Sequence, residues 1–204
     1  MPSAPRELAA TVAATRPATH DIRIIELSLP PGGRFDFKAG QYAKLGFAGH
    51  PLRDYSMASR PGARLLEFHI RDMGDGPSRH AVRQVQVGDA VRLAGPFGDA
   101  WLRPDHRGPI IGIAGGSGLA PVKSIVEAAL DAGATQPVHL YFGARAARDL
   151  YLTDHFAALM RRHGNFRFVR VLSEPEAGSP HRRGLVGDAV AADFTSFAGC
   201  KAYL

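Results

Sequence analysis

Residues 109–121 read Pro-Ile-Ile-Gly-Ile-Ala-Gly-Gly-Ser-Gly-Leu-Ala-Pro. The apolar run from Pro109 through Ile110, Ile111, Gly112 and Ile113 to Ala114 has the look of a strand buried on both faces, as in a parallel sheet. Gly115-Gly116-Ser117-Gly118 then turns into a helix whose one face carries Val122, Ile125, Val126, Ala129 and Leu130, with Gly133 as its stop. Glycines let a backbone approach a pyrophosphate closely, and a helix N-terminus offers unpaired N–H groups and a partial positive charge. Pro121 suits the first turn, where its missing donor costs nothing. The bland alternative is a tight strand-to-helix turn. The flanking strand and amphipathic helix put a dinucleotide-binding loop ahead of it, although proline stands where the usual dehydrogenase fingerprint has its third glycine.

Downstream the same alternation continues. Residues 138–142 read as a second strand, followed by a helix starting near Asp149 or Thr153 with Phe156, Leu159 and Met160 inward. Residues 166–172 read as a third strand, and residues 201–204 could start a fourth. This implies a doubly wound parallel α/β domain. Upstream the period changes to two: Leu66, Phe68 and Ile70 alternate with Glu67, His69 and Arg71, and residues 90–93 continue the style. Turn signals at Pro30-Pro31-Gly32-Gly33, Ala39-Gly40, Arg60-Pro61-Gly62 and Gly95-Pro96-Phe97-Gly98 separate short strands, with one short helix over residues 78–85. An antiparallel β-barrel or sandwich is expected over residues 1–104, and the α/β nucleotide-binding domain over residues 105–204.

The composition of the 204 residues, 45% hydrophobic and 22% charged, is that of a globular protein with a real core. One cysteine, Cys200, leaves no pair for a disulfide and no set for a cysteine-ligated cluster. The nine histidines show no metal-ligand spacing, so no metal is expected. The longest apolar stretch is too short and glycine-rich to span a bilayer, and residues 1–17 lack a secretory pattern, so a cytoplasmic location is expected. The net charge of +6 comes mostly from arginine and suits an acidic protein or a phosphorylated cofactor. No basic run is interleaved with aromatics, so nucleic acid is not expected as a partner.

Arg53-Asp54-Tyr55-Ser56-Met57 follows a strand-like segment, Gly40-Gln41-Tyr42-Ala43-Lys44-Leu45, and puts residues 53 and 55 on one side and residue 56 on the other. Arg-x-Tyr-Ser, then Gly95-Pro96-Phe97-Gly98, then Gly115-Gly116-Ser117-Gly118-Leu119-Ala120-Pro121, occur in that order. With Tyr141-Phe142-Gly143-Ala144-Arg145 and Asp149-Leu150-Tyr151, the combination resembles the ferredoxin–NADP reductase-like flavoprotein family. Within it the chain looks most like the reductase components of bacterial ring-hydroxylating oxygenases.

The resemblance implies an FAD whose pyrophosphate meets Arg53, whose ring lies against Tyr55 and whose N5 is near Ser56, the residue expected to orient and polarise it. Met57 belongs to the same motif. The backbone of His69, Ile70 and Arg71 would line the ring edge, Gly76-Pro77-Ser78 would form a second phosphate turn, and Pro96, Phe97 and Gly98 complete the barrel motif. The resemblance also places Gly115, Gly116, Ser117, Gly118 and Pro121, together with Gly143, Ala144 and Arg145, at NAD(P)H. Ser173 and Glu174 would stand where NADPH users grip the 2′-phosphate. A carboxylate there favours NADH, whereas Arg145, Arg182 or Arg183 could receive a 2′-phosphate.

The activity so implied is hydride transfer from NAD(P)H to FAD, then release of electrons to a separate acceptor such as an acidic ferredoxin or a Rieske-type protein. Alternatives are a flavin reductase that releases its flavin and a non-catalytic nucleotide-binding regulatory module. Family members continue beyond a strand like Ala202-Tyr203-Leu204 with Cys-Gly-Pro-Pro-x-Met. The chain ends before such a motif, so the NAD(P) half is expected to be C-terminally shortened, with Cys200 in the turn before the last strand.

Overall fold

A computed structural model describes residues 5–204. Six strands form the first half: β1 (Arg6–Pro17), β2 (Ile22–Ser28), β3 (Tyr42–Gly46), β4 (Arg53–Ser56), β5 (Leu66–Arg71) and β6 (Ala90–Phe97). They are antiparallel in the order β4-β3-β6-β1-β2-β5, and a bridge from Met57 to Phe68 brings the two edges together into a nearly closed barrel. Inward residues alternate along the strands as a half-buried sheet requires, so Ile25, Leu27, Leu45, Met57, Phe68 and Leu93 fill the interior. Helix α1 (Gly76–Arg83) covers one end of the barrel through Ala81.

The second half alternates strand and helix: β7 (Ile110–Gly115), α2 (Leu119–Asp131), β8 (Val138–Ala144), α3 (Thr153–Arg162), β9 (Phe166–Leu172), β10 (Arg182–Arg183), α4 (Val186–Asp193) and β11 (Lys201–Tyr203). The sheet is parallel in the order β10-β9-β8-β7-β11. Helices α2 and α3 share one core with one face of the sheet; α4 packs on the other face against Ile111, Tyr141 and Val171. The sheet is therefore doubly wound. Val122, Ile125 and Val126 of α2 are almost wholly buried, each contributing roughly 1.5–3 kcal/mol of transfer free energy. Gly112 makes that close approach possible, because a Cβ there would overlap the Val122 side chain.

One buried cluster spans the two halves, apart from the barrel's own interior. Ile22, Ile24 and Ala39 of the barrel belong to the same buried cluster as α2 and α3. His69 departs from the period-two reading for this reason: it points outward from the barrel, yet is 4% exposed because the α/β half covers it. Among the described residues no helix is long and apolar enough to cross a membrane.

Candidate active site

Two depressions together contain nine of the expected residues. The first is a groove of about 840 Å³ lined by Arg53, Asp54 and Tyr55 of β4 and by Gly76, Pro77 and Ser78 at the start of α1, with Lys44, Leu52, Met73 and Asp75 around them. Strand pairing of β4 with β3 sets the motif in place, Tyr55 opposite Ala43 and Ser56 opposite Tyr42. Arg53 is exposed and makes only a 3.2 Å hydrogen bond to the Leu52 carbonyl, and no carboxylate lies within 4 Å of it among the described residues. The first turn of α1 receives no side-chain cap, since Asp75 makes no such bond. A free guanidinium and a helix start carrying uncapped N–H groups thus open on one groove, beside the Tyr55 ring. That combination fits a pyrophosphate attached to an aromatic ring system. Burial pushes the Tyr55 hydroxyl above its ordinary pKa, with Arg53 opposing, which keeps it neutral and a hydrogen-bond donor.

The second depression, about 200 Å³, lies where the two halves meet. The barrel supplies Thr19, His20, Asp21 and Arg71; the α/β half supplies Gly116, Ala144, Arg145, Arg148 and Asp149. Gly116 begins a short 3-10 turn (Gly116–Gly118) between β7 and α2, with φ +53°, and a Cβ there would meet only an Arg71 nitrogen. Neither that turn nor α2 has a side-chain cap. Asp21 accepts 2.7 Å from Arg71 Nε and 2.8 Å from Thr19 Oγ1, and these bonds outweigh burial to hold its carboxyl below the usual range. Arg145 has no carboxylate partner among the described residues, so the crevice presents an uncommitted cation beside the glycine-rich loop at Gly116. This fits a dinucleotide's phosphates.

Several expected residues are placed elsewhere. The Met57 and Ile70 side chains are buried in the barrel core by the inward parity of their positions and line neither depression. The His69 side chain turns to Tyr151 and Glu67, and only Arg71 of that trio presents a side chain to a depression. Ser56 ends β4 outside the lining of the first groove. Phe97 stacks on Tyr42 with centroids 5.6 Å apart, and the Gly98 carbonyl accepts from Gln41, so Pro96-Phe97-Gly98 closes the barrel end against β3. Gly143 packs under Val186, where a Cβ would come within 2.8 Å. Ser117, Gly118 and Pro121 follow Gly115 and Gly116 at the mouth of α2.

The ends of β8 and β9 are laced together: Ser173 N–H donates to the Ala144 carbonyl at 3.0 Å and Glu174 N–H to the Arg145 carbonyl at 2.8 Å. Arg145 and Glu174 therefore flank one edge. Arg182 is committed instead to Asp193, 2.7 Å from both carboxylate oxygens, and Tyr141 donates to the same carboxylate at 2.8 Å. That pairing already engages the Arg182 guanidinium.

The turn Thr19-His20-Asp21 was invisible to periodicity, because no pattern marks a turn of one half as the wall of a site in the other. A further depression of about 990 Å³, beside Arg34 and Arg64 on the barrel, contains none of the motif residues.

Residues 9–101 match the oxidoreductase FAD-binding domain, and residues 113–204 match the oxidoreductase NAD-binding domain. The chain is 42% identical, over 95% of its length, to the ferredoxin–NAD(P)+ reductase component of naphthalene 1,2-dioxygenase/salicylate 5-hydroxylase systems from a Ralstonia species, of which it covers 59%. It is 40% identical, over 98% of its length, to the corresponding component of the naphthalene 1,2-dioxygenase system of Pseudomonas putida, of which it covers 60%. Among solved structures, the Amycolatopsis cytochrome P450 reductase GcoB superposes with a TM-score of 0.90 at 36% identity, over 97% of this chain and 61% of that one. The chain thus spans about three fifths of the length of the relatives it matches.

Proposed function

The chain belongs to the ferredoxin–NADP reductase-like FAD- and NAD-binding oxidoreductases, and on that premise we propose that it takes hydride from NAD(P)H and delivers electrons to an acceptor beyond its own 204 residues. FAD, when bound, supplies the two-electron to one-electron conversion. The carrying observation is that the free Arg53 guanidinium and the uncapped start of α1 converge on one groove beside the Tyr55 ring. In this reading Arg53 and Gly76-Pro77-Ser78 bind the flavin pyrophosphate and Tyr55 packs against the ring. Ser56 orients the reacting edge, and the Gly115–Gly118 loop with Arg145 binds the pyridine nucleotide. The division into a flavin half, residues 1–104, and a nucleotide half, residues 105–204, follows from the same assignment.

NADH is the favoured donor, since Glu174 flanks the edge where a 2′-phosphate would sit and would repel it. The acceptor is proposed to be an acidic redox protein such as a ferredoxin or Rieske-type protein, matched to the net charge of +6. Purified protein should stay yellow through desalting and oxidise NADH faster than NADPH with ferricyanide. A colourless protein that regains NADH oxidation only with added free flavin would instead support a flavin reductase. No flavin binding and no oxidation at all would leave a nucleotide-binding module. Electron delivery to an acidic ferredoxin should slow as ionic strength rises, and a salt-independent rate would discard the charge argument.

A further inference from the structure

The seam between the halves holds a continuous polar chain that the proposed reaction does not use. His69 of β5 has a fully buried side chain, with Nδ1 2.9 Å from the Tyr151 hydroxyl and Nε2 2.6 Å from Glu67 Oε1. Lys123 of α2 sits 3.5 Å from Glu67 and 3.1 Å from Glu127, which in turn meets His155 of α3. Tyr151 lies 3.2 Å from the carbonyl oxygen of Gly116, the first residue of the nucleotide-loop turn.

Only the doubly protonated state of His69 makes all three of its linked contacts at once. Lys123 and the His69 bond hold Glu67 ionised against its burial, so Glu67 only accepts and Nε2 of His69 must carry hydrogen. If His69 is neutral, Nδ1 is bare and accepts the Tyr151 hydroxyl hydrogen, and the Gly116 carbonyl loses that donor. If His69 is protonated, Nδ1–H donates to the Tyr151 oxygen, and the hydroxyl hydrogen is released to Gly116. We propose that Tyr151 is a positioning residue for the nucleotide loop, and that the proton on His69 selects whether its hydroxyl holds the Gly116 carbonyl or turns to the histidine.

The Tyr151 hydroxyl stands within hydrogen-bond distance of both groups, 2.9 Å from His69 Nδ1 and 3.2 Å from the Gly116 carbonyl oxygen, so rotating its hydrogen exchanges one for the other. Fixing the Gly116 carbonyl fixes the whole peptide plane, and with it the Ser117 N–H on its opposite edge. The groups around the ring define when it titrates. Glu67 favours the cation, while burial, Lys123 and Arg16 of β1 oppose it, and β2 presents only Ile24 in register. Burial prevails, so the ring gains its proton below the ordinary histidine pKa of about 6.5.

The ligand in this inference rests on the nucleotide-binding reading above; the hydrogen-bond switch rests on the geometry alone. The test is NMR of the His69 ring nitrogens and the Ser117 amide across the pH range in which His69 titrates, paired with calorimetric titration of the flavin-loaded protein with NAD+ at one pH on each side of that midpoint. Tyr151→Phe keeps the ring that packs on Phe142 and removes only the hydroxyl. In the wild type the Ser117 resonance should move with His69 titration, and NAD+ should bind about three- to tenfold tighter at the lower pH. In Tyr151→Phe both responses should vanish. A Ser117 amide indifferent to His69, or a pH response that survives unchanged in Tyr151→Phe, overturns the proposal. Failure of the wild type to bind NAD+ at either pH would overturn the nucleotide reading instead, leaving the Ser117 resonance to decide the switch.

Discussion

The Ser124 hydroxyl donates to the Ser59 carbonyl oxygen across 2.7 Å, tying the helix after the nucleotide loop to the segment after the Arg53-Asp54-Tyr55-Ser56 strand. One residue earlier, Lys123 donates to the Ala58 carbonyl at 3.3 Å and sits between Glu67 and Glu127. The relative placement of the two grooves is thereby set by buried polar bonds as well as by apolar packing. Lys123→Met would deprive two largely buried carboxylates of the ammonium they share, leaving Glu67 to His69 and Arg16 and Glu127 to His155. A loss of about 3–5 kcal/mol is expected, read as a lowered denaturation midpoint. A midpoint within experimental error of the wild type would show that water already screens this cluster.

Arg53 is a candidate phosphate ligand because no carboxylate pairs with it among the described residues. Arg53→Ala removes a charge-assisted contact and should weaken flavin retention by about 1.5–3 kcal/mol, with little change in folding stability since the residue is exposed. The measurement is flavin content after dialysis against increasing buffer volumes. Equal flavin content in the variant and the wild type would remove Arg53 from the site.

Coenzyme choice falls to the edge where the β8 and β9 ends are laced together. Arg182 is held by Asp193, whereas among the described residues no carboxylate pairs with Arg145 or Arg183, and Glu174 opposes a phosphate. Glu174→Arg should raise the NADPH-to-NADH ratio of kcat/KM roughly tenfold or more, the scale of one charge-assisted hydrogen bond. An unchanged ratio would place the adenosine end elsewhere.

Local pattern made much of this fold legible. The alternation of Leu66, Phe68 and Ile70 gave β5 and its inward face, and the apolar run ending at Ala114 gave β7 with the helix after it. What it missed depends on the other half of the molecule. His69 has the outward parity of an exposed residue, and its burial comes from α2 and Tyr151, more than fifty residues away in sequence. Similarly, Pro121 occupies the place where a third glycine would allow close helix packing. The clearance is supplied from the strand side, by Gly112 under Val122. Residues 182–193 gave no strand or helix reading, since a two-residue strand and a short helix rich in alanine carry little periodicity. Of the site, the motif residues were legible as residue types. Their grouping into two depressions, and the part taken by Thr19-His20-Asp21, needed the tertiary structure.

The same buried chain fixes how stability should depend on acid. Glu67 is held at about 2, below its ordinary 4.5, because the His69 hydrogen bond and Lys123 outweigh burial. Between those values the unfolded chain binds a proton that the folded one refuses, so stability falls as pH drops from about 4.5 toward 2. His69 acts with the same sign higher up. Its folded pKa is below 6.5, so its contribution is complete above 6.5 and declines as pH falls through and below that value. The wild type should therefore lose thermal stability in two successive acid windows. Glu67→Gln removes the titrating group of the lower window, and the decline between about pH 4.5 and 3 should become shallower. The upper window should persist, because without the carboxylate His69 resists protonation even more strongly. Melting temperatures measured across this range would decide the point: a lower slope identical in the variant and the wild type would mean that other carboxylates, not Glu67, carry the acid sensitivity.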